Sequence, residues 1–267
     1  MNKEVSILIG NCRTWESIEL VIESILKRTA YKPFNIIVHN QARIRDKGNR
    51  VAYLNKMAKN GSIKLIEGEY RPRSDLDGHG KSVKNLLSVC DTELALLWVS
   101  DIEILKPEWL DMLVERIDGD DILGVADFKP GRNHFNRMWI APRYLPDWML
   151  LNMPLYRAIE GNDDWDLSYV PFPEWPYPEV FIGQSPPIHP DHNPPKVFRD
   201  TGWRIWEKMA KKNSRYYRFV PLPHNWFNIQ VHHFGGIDRN SFRPEFPELQ
   251  MKLTKIRERL EILRKEG

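Results

Sequence analysis

The chain has 267 residues, of which 42% are hydrophobic and 28% are charged. This composition is typical of a globular protein with a full core and excludes a disordered or fibrous chain. The formal net charge of +3, from 39 basic and 36 acidic residues, is too even to indicate nucleic acid as the main partner.

The first 128 residues alternate predicted strands and helices. Short β-branched or apolar runs predict the strands, and apolar residues at helical spacing predict the helices between them. The predicted strands are 5–9, 34–38, 62–66, 94–99 and 122–128, and the predicted helices are 16–28, 51–59, 81–89 and one that opens at Pro107. This alternation predicts an α/β fold with a mostly parallel sheet covered by helices on both faces. Such sheets bind ligands outside the carboxyl ends of their strands, so candidate site residues should follow the strands.

The second half is rich in proline and tryptophan before the regular pattern returns. Twelve of the 20 prolines lie between Pro142 and Pro195, which predicts long, ordered loops packed over the sheet. The later pattern predicts a helix at 201–212, strands at 216–220 and 228–234, and an amphipathic helix from Phe246. We therefore expect a single domain with three parts, 1–128, 129–245 and a C-terminal helix at 246–267.

Cysteine usage and hydropathy indicate the compartment. Cys12 and Cys90 are far apart and suggest no disulfide framework, so we expect a cytoplasmic protein. We expect no signal peptide, because residues 1–4 contain no basic region followed by an apolar one. We expect no transmembrane segment, because no run approaches the ~18 apolar residues that span a bilayer. The C-terminal helix could touch an anionic membrane, but Glu258, Glu261 and Glu266 dilute its basic charge, so packing on the domain or dimerisation is expected.

The strongest local signal follows the fourth predicted strand. Asp101 and Glu103 stand one residue apart as an apolar strand leaves the sheet. In extended backbone, residues i and i+2 face the same side, so the two carboxylates could together hold a hard divalent cation and, through it, a diphosphate. A solvated turn with a helix cap is the alternative interpretation of the same pair.

The order of several motifs matches a known family. The opening strand leads through a polar turn at 10–12 into a helix that ends near Thr29, and the second strand ends in Val38-His39-Asn40. A segment with Gly80 and Asn85 then precedes the Asp101-Ile102-Glu103 strand end, which Pro107-Glu108-Trp109-Leu110 follows. Over residues 5–128, and more weakly to about 241, this pattern resembles the family-2 glycosyltransferases of the GT-A fold.

The resemblance implies a reaction and two binding regions. Residues 1–128 would bind a nucleoside diphosphate sugar, and residues 129–245 would bind a glycan or another hydroxyl acceptor. The transfer would invert the anomeric carbon. Asn40 stands where the family commonly has an aspartate that reads the base, which leaves the base open, and Glu103 replaces the second aspartate of the family's D-x-D.

The resemblance also assigns roles to individual residues. The nucleotide-sugar pocket would be lined by Asn11, Asn40, Gly80, Asn85 and Asp101. Asp101 would contact the ribose or the water shell of the metal, and Glu103 would ligate Mn²⁺ or Mg²⁺. The cation would bridge the diphosphate and neutralise charge on the leaving group.

A histidine pair late in the chain is a second site signal. In this family a late histidine often completes the metal shell, and His232 and His233 are the candidates. Neighbouring residues of a strand face opposite ways, so at most one of them is expected to be a ligand. Gly235-Gly236 allows close backbone approach after His233, which favours His233. Ordinary packed or surface histidines are the alternative.

The general base and the acceptor contacts are expected in the second half. Asp200 stands at the start of a predicted helix, where inverting members of the family place the base that deprotonates the acceptor hydroxyl. Asp200 is also a good helix N-cap, and the cluster Asp163-Asp164-Trp165-Asp166 is a rival source of the base. The rings of Trp165, Trp175 and Trp203 could stack on sugar faces, or simply pack within the loops.

Two other functions fit parts of the sequence. A nucleotidyltransferase has a similar sheet and acidic metal site, although Asn11-Cys12-Arg13-Thr14 is a poor match to its usual Gly-rich basic loop. A degenerate glycosyltransferase fold that only binds glycans is the second alternative, supported by the departures at Asn40 and Glu103. The donor sugar, the acceptor and the oligomeric state do not follow from the sequence.

Overall fold

The structure is a computed structural model of the chain. It describes residues 3–11, 17–41, 49–68, 75–130, 132–134, 138–141, 143–159, 168–171, 196–199, 203–211, 218–224, 226–234 and 247–266. The predicted base Asp200, the rival Asp163-Asp164-Asp166 and the predicted stacking residues Trp165 and Trp175 lie outside these ranges.

Strands and helices alternate through the first half, as predicted. The strands are β1 (Val5–Asn11), β2 (Phe34–Asn40), β3 (Lys64–Glu67), β4 (Leu94–Val99), β5 (Ile102–Ile104), β6 (Ile122–Val125), β7 (Phe128–Lys129), β8 (Arg132–His134), β9 (Met138–Ile140), β10 (Arg143–Tyr144), β11 (Leu150–Asn152), β12 (Ser168–Pro171), β13 (Lys196–Arg199), β14 (Arg218–Val220) and β15 (Val231–His233). The helices are α1 (Ser17–Arg28), α2 (Asn49–Lys59), α3 (Asp75–Ser88), α4 (Asp111–Val114), α5 (Met153–Ala158), α6 (Trp203–Lys211), α7 (Trp226–Ile229) and α8 (Pro247–Lys265). Two 3₁₀ turns, Pro107–Trp109 and Pro146–Trp148, each begin at a proline, whose missing N–H costs nothing at that position.

A mostly parallel sheet forms the centre of the fold. Among the described strands, seven make up this sheet, in the order β14-β6-β11-β4-β1-β2-β3. Strands β3, β2, β1 and β4 are parallel neighbours, whereas β11 runs antiparallel between β4 and β6. The predicted α/β class with a mostly parallel sheet is therefore confirmed. The antiparallel β11 was not predicted, because its three residues lie within the proline-rich segment and give little strand signal.

Both faces of the sheet are buried, which explains its nearly all-apolar strands. In β4, Leu96 and Trp98 face one core, with α1, α2 and the segment around Trp109. Ala95 and Leu97 face the other core, with α3, α5 and α6. This two-sided burial fixes the sheet and leaves the carboxyl ends of β1 to β4 aligned along one edge.

The C-terminal helix packs on the domain. Its predicted apolar stripe is buried against Leu20 of α1 and against Phe234, which follows β15. The stripe consists of Leu249, Leu253, Ile256, Leu260 and Leu263. In the part of the chain that the structure describes, no helix combines the length and apolar character needed to cross a bilayer. Helix α8 thus contacts both strands of the β5–β15 pair or their ends, through Arg259 with Glu103 of β5 and through its apolar stripe with Phe234 after β15.

Candidate active site

A row of polar side chains crosses the carboxyl ends of three neighbouring strands. Asn11 ends β1, Asn40 ends β2 and Glu67 ends β3, and the three are direct partners in the strand register. The Asn11 amide Nδ2 donates to Asn40 Oδ1 at 3.0 Å, and Asn40 Nδ2 donates to Glu67 Oε2 at 3.2 Å. Asn11 and Asn40 are buried, whereas Glu67 is exposed. Two of the predicted pocket residues, Asn11 and Asn40, thus lie side by side.

The acidic turn after β4 meets the late histidine. Ser100 and Asp101 form a turn, and β5 then pairs antiparallel with β15. The Phe234 N–H donates to the Asp101 carbonyl at 3.0 Å, which ties the turn to the end of β15. The carboxylate Oδ1 of Asp101 lies 3.3 Å from Nε2 of His233. Of the two histidines, the structure therefore places His233 beside the acidic turn.

Aromatic side chains pack next to the contact between Asp101 and His233. Trp148 packs edge-to-face on the His233 ring with centroids 5.7 Å apart, and also against Phe227 at 4.7 Å. Trp98, three residues before Asp101, belongs to a buried indole cluster with centroid distances of 4.8 Å to Trp109 and 5.8 Å to Trp226. The His233 imidazole therefore packs against a large, rigid ring with few rotamers.

The Asp101–His233 pair fits a divalent cation. In an octahedral shell with metal–ligand distances of about 2.1 Å, neighbouring ligand atoms lie about 3 Å apart, close to the separation of these two atoms. The carboxylate oxygen suits Mn²⁺ or Mg²⁺, whereas an imidazole nitrogen is a ligand of transition metals, so the pair together favours Mn²⁺ over Mg²⁺. Among the described residues, no group of three or more His, Cys, Asp and Glu side chains converges. Two protein ligands would leave several coordination positions for phosphate oxygens.

Glu103 has different neighbours from Asp101. Its side chain is 1% exposed and accepts a bidentate pair of hydrogen bonds from Arg259, at 2.7 and 2.9 Å. Arg28 donates to it as well, at 3.1 Å. The Glu103 hydrogen bonds raise the pKa of Arg259. The pKa of Glu266, which also pairs with Arg28, is lowered by that guanidinium.

These contacts correct the expected geometry of the acidic pair. The alternation that would place both carboxylates on one face begins only at Ile102, because Asp101 still belongs to the turn. His232 stands directly opposite Glu103 in the strand register, and burial together with Lys255 lowers its pKa. The guanidinium contacts occupy most of the acceptor positions of the Glu103 carboxylate, so the structure favours an ion-pair role for it.

Helix α3 contributes a second polar group next to the row. His39 is buried, its Nδ1 lies 2.9 Å from Ser82 Oγ, and its Nε2 lies 3.3 Å from Asn85 Nδ2. An amide nitrogen can only donate, so with the Asn85 amide in this orientation the proton of the neutral imidazole is on Nδ1, toward Ser82. Burial lowers the pKa of His39, which favours this neutral form. Asn85 therefore contacts His39, and Gly80 is buried in the same helix.

The structure also places Trp203, the third predicted stacking residue. It is 2% exposed at the start of α6, which leaves no ring face for a sugar. A ring so deeply buried supports packing, which was the alternative interpretation of its sequence position.

Sequence reasoning missed three residues of this region, namely Glu67, Arg28 and Arg259. Glu67 carried a usable signal, because it is a polar residue at the carboxyl end of a predicted strand. The two arginines carried none, since their contacts with Glu103 join residues 75 and 156 positions apart.

Comparison with known proteins gives matches among solved structures alone. No protein-family model matches the chain, and no curated protein matches it in sequence. The mannosyltransferase PcManGT from Pyrobaculum calidifontis, in complex with GDP-Man and Mn²⁺, is 13% identical with a TM-score of 0.46, covering 100% of this chain and 76% of that one. TarS 1-349 from S. aureus is 14% identical with a TM-score of 0.41, covering 59% of this chain and 49% of that one.

A third similar structure is GalNAc-T7 with UDP, GalNAc and Mn²⁺. It is 12% identical with a TM-score of 0.43, covering 74% of this chain and 42% of that one. The match thus spans about half of the TarS fragment and less than half of GalNAc-T7. Identities and TM-scores at this level assign no function, so the function of this chain has to be inferred from its own side chains.

Proposed function

We propose that this protein is a glycosyltransferase that takes a sugar from a nucleoside diphosphate sugar and transfers it to an acceptor hydroxyl. The observation that carries the proposal is the contact between Asp101 and His233, at the same sheet edge as the row formed by Asn11, Asn40 and Glu67. A pair suited to a cation beside a row of hydrogen-bonding groups matches a ligand with a diphosphate and a polar base.

Different residues of the site would bind different parts of the donor. Asn11 and Asn40 would bind the base and ribose, with their amides held in one orientation by the hydrogen bonds of the row. Asp101 and His233 would hold Mn²⁺ or Mg²⁺ close to the diphosphate. Bound there, the cation supplies electrostatic stabilisation for the negative charge that develops on the departing nucleoside diphosphate.

The transfer itself requires a base on the acceptor side. We propose that Asp200 takes the proton from the acceptor hydroxyl as its oxygen attacks the anomeric carbon. The bond from that carbon to the diphosphate oxygen breaks as the new glycosidic bond forms, and attack from the opposite face inverts the centre. The proline-rich segment from Pro142 to Asp200 would bind the acceptor.

The first test is a thermal-shift screen with UDP, GDP, dTDP and CDP, each with and without Mn²⁺. One nucleotide at about 100 times its Kd should add roughly 2.7 kcal/mol, a shift of about 5–10 °C for a chain of this size, and should do so only with metal present. Mn²⁺ alone and nucleotide with EDTA are the controls. If no nucleotide shifts the transition at any concentration, the proposal fails and a glycan-binding role takes its place. Release of pyrophosphate from a nucleoside triphosphate would identify a nucleotidyltransferase.

Replacing Asp200 by asparagine should keep donor binding and lower turnover about 10²- to 10⁴-fold, the usual contribution of a general base. Turnover is measured as nucleoside diphosphate released from the donor that the screen identifies. The matched variants are Asp163→Asn, Asp164→Asn and Asp166→Asn. A near wild-type rate for Asp200→Asn, with a large loss in one of these three, would transfer the role of base to that aspartate.

A further inference from the structure

The row at the sheet edge ends in a carboxylate. Glu67 is exposed, and its Oε2 accepts the Asn40 amide N–H at 3.2 Å. An ionised carboxylate has about four lone-pair sites and no hydrogen to donate. Among the described residues Glu67 accepts this one side-chain hydrogen bond, and its exposure leaves both oxygens able to accept further N–H groups.

The direction of the row is fixed by its two hydrogen bonds. Asn11 donates to the Asn40 oxygen, and the Asn40 nitrogen donates to Glu67. The Asn40 amide cannot flip without turning its oxygen toward the carboxylate, which is unfavourable. The Glu67 end of the row thus presents a negatively charged acceptor at the sheet edge.

The position of Glu67 suits the base of a bound nucleotide. In the sheet order, β3 lies three strands away from β4, the strand that leads into Asp101. At about 4.8 Å between neighbouring strands, the two carboxylates are separated by roughly 14 Å along the edge. With its diphosphate at Asp101 and its ribose at the proposed Asn11 and Asn40 site, a nucleotide would bring its base toward Glu67.

Resting on the proposed function, we infer that Glu67 selects guanine, so that the donor is a GDP-sugar. Guanine presents two adjacent donors, N1–H and the 2-amino group, which match the two oxygens of a carboxylate in a bidentate pair. Uracil presents one N–H between two carbonyl oxygens, and a carboxylate facing it repels at least one of them. Adenine and cytosine each place an acceptor nitrogen beside their amino group, so neither offers two adjacent donors.

The inference is tested by isothermal titration of GDP, IDP and UDP in the presence of Mn²⁺. Wild-type protein should bind GDP at least about 10-fold more tightly than UDP. IDP, which lacks the 2-amino group, should bind about 10-fold more weakly than GDP, because one of the two charge-assisted hydrogen bonds is lost. In Glu67→Gln the difference between GDP and IDP should disappear, and UDP should bind at least as tightly as it does to the wild type, because the repulsion of its carbonyl oxygen is removed.

Two controls separate this inference from the function on which it rests. Glu93→Gln makes the same change at an exposed glutamate next to the amino end of β4, and should leave all three affinities unchanged. Metal-dependent binding of UDP in preference to GDP would overturn the guanine assignment and leave the glycosyltransferase proposal standing. Preference for GDP that survives in Glu67→Gln would overturn the role of Glu67. Absence of metal-dependent binding for every nucleotide would overturn the proposed function itself, and this inference with it.

Discussion

Asp101→Asn is expected to weaken metal-dependent binding of the nucleotide at least about 100-fold while the protein stays folded. The substitution keeps the size of the side chain but removes the charge that would hold the cation. Outer-shell partners of a metal commonly contribute about 10- to 100-fold in affinity, and a ligand itself should contribute at least as much. The Asp101 carbonyl still accepts the Phe234 N–H, so the β5–β15 pair should persist. The measurement is titration of the nucleotide with and without Mn²⁺, together with the melting temperature.

Matched variants distinguish the loss of a metal ligand from the general effect of removing a charge. His233→Gln should weaken Mn²⁺-dependent binding, because His233 contacts Asp101, whereas His232→Gln, on the Glu103 side of the strand, should leave it near wild type. Asp121→Asn makes the same chemical change at an exposed carboxylate paired with Arg218. Equal effects of His232→Gln and His233→Gln, or unchanged metal dependence in Asp101→Asn, would contradict the proposed ligand pair.

The fold was largely predictable because its signals are local. Strands such as β4 are buried on both faces and appear in the sequence as nearly continuous apolar runs, and the stripe of α8 follows the helical period. The antiparallel insertion of β11 was not predictable in the same way. Its position between β4 and β6 depends on pairing between distant segments rather than on its own composition.

The candidate site was predictable in part. The carboxyl-end rule identified Asp101, the family resemblance added Asn11 and Asn40, and the structure places these two side by side. The same rule applies to Glu67 at the end of β3, which was not among the predicted site residues although its strand was predicted. Glu103 shows where such reasoning fails, since the direction of a side chain after a turn and its long-range partners are tertiary properties that strand alternation does not determine.

Glu103→Ala is expected to destabilise the fold by about 3 kcal/mol, which corresponds to roughly 6–12 °C in melting temperature. The variant would leave Arg28 and Arg259 without their shared carboxylate in the space between α1, β5 and α8. The expected loss is at the lower end of the range for a broken buried pair, because both guanidinium groups reach solvent. Thermal and urea unfolding, each at constant pH and salt, provide the measurement.

Glu266→Gln is the matched control, because Glu266 also pairs with Arg28 but is 44% exposed. Exposed pairs contribute at most about 1 kcal/mol, so this variant should remain close to wild type. The pair Glu103→Ala and Arg259→Ala completes a double-mutant cycle, in which a direct ion pair requires the double variant to lose clearly less than the sum of the single losses.

The same variant decides between the two roles of Glu103. If Glu103 is an ion-pair residue, the Glu103→Ala variant should bind the nucleotide with normal metal dependence at a temperature where it is folded. If Glu103 is a metal ligand, the variant should lose that metal dependence with little change in stability, as the D-x-E pattern alone predicts. Glu103 stands two residues from Asp101, on strand β5, and pairs with Arg28 of α1 and Arg259 of α8. The first outcome would therefore assign different roles to the two carboxylates. Asp101 would meet the cation, and Glu103 would anchor the strand that presents Asp101.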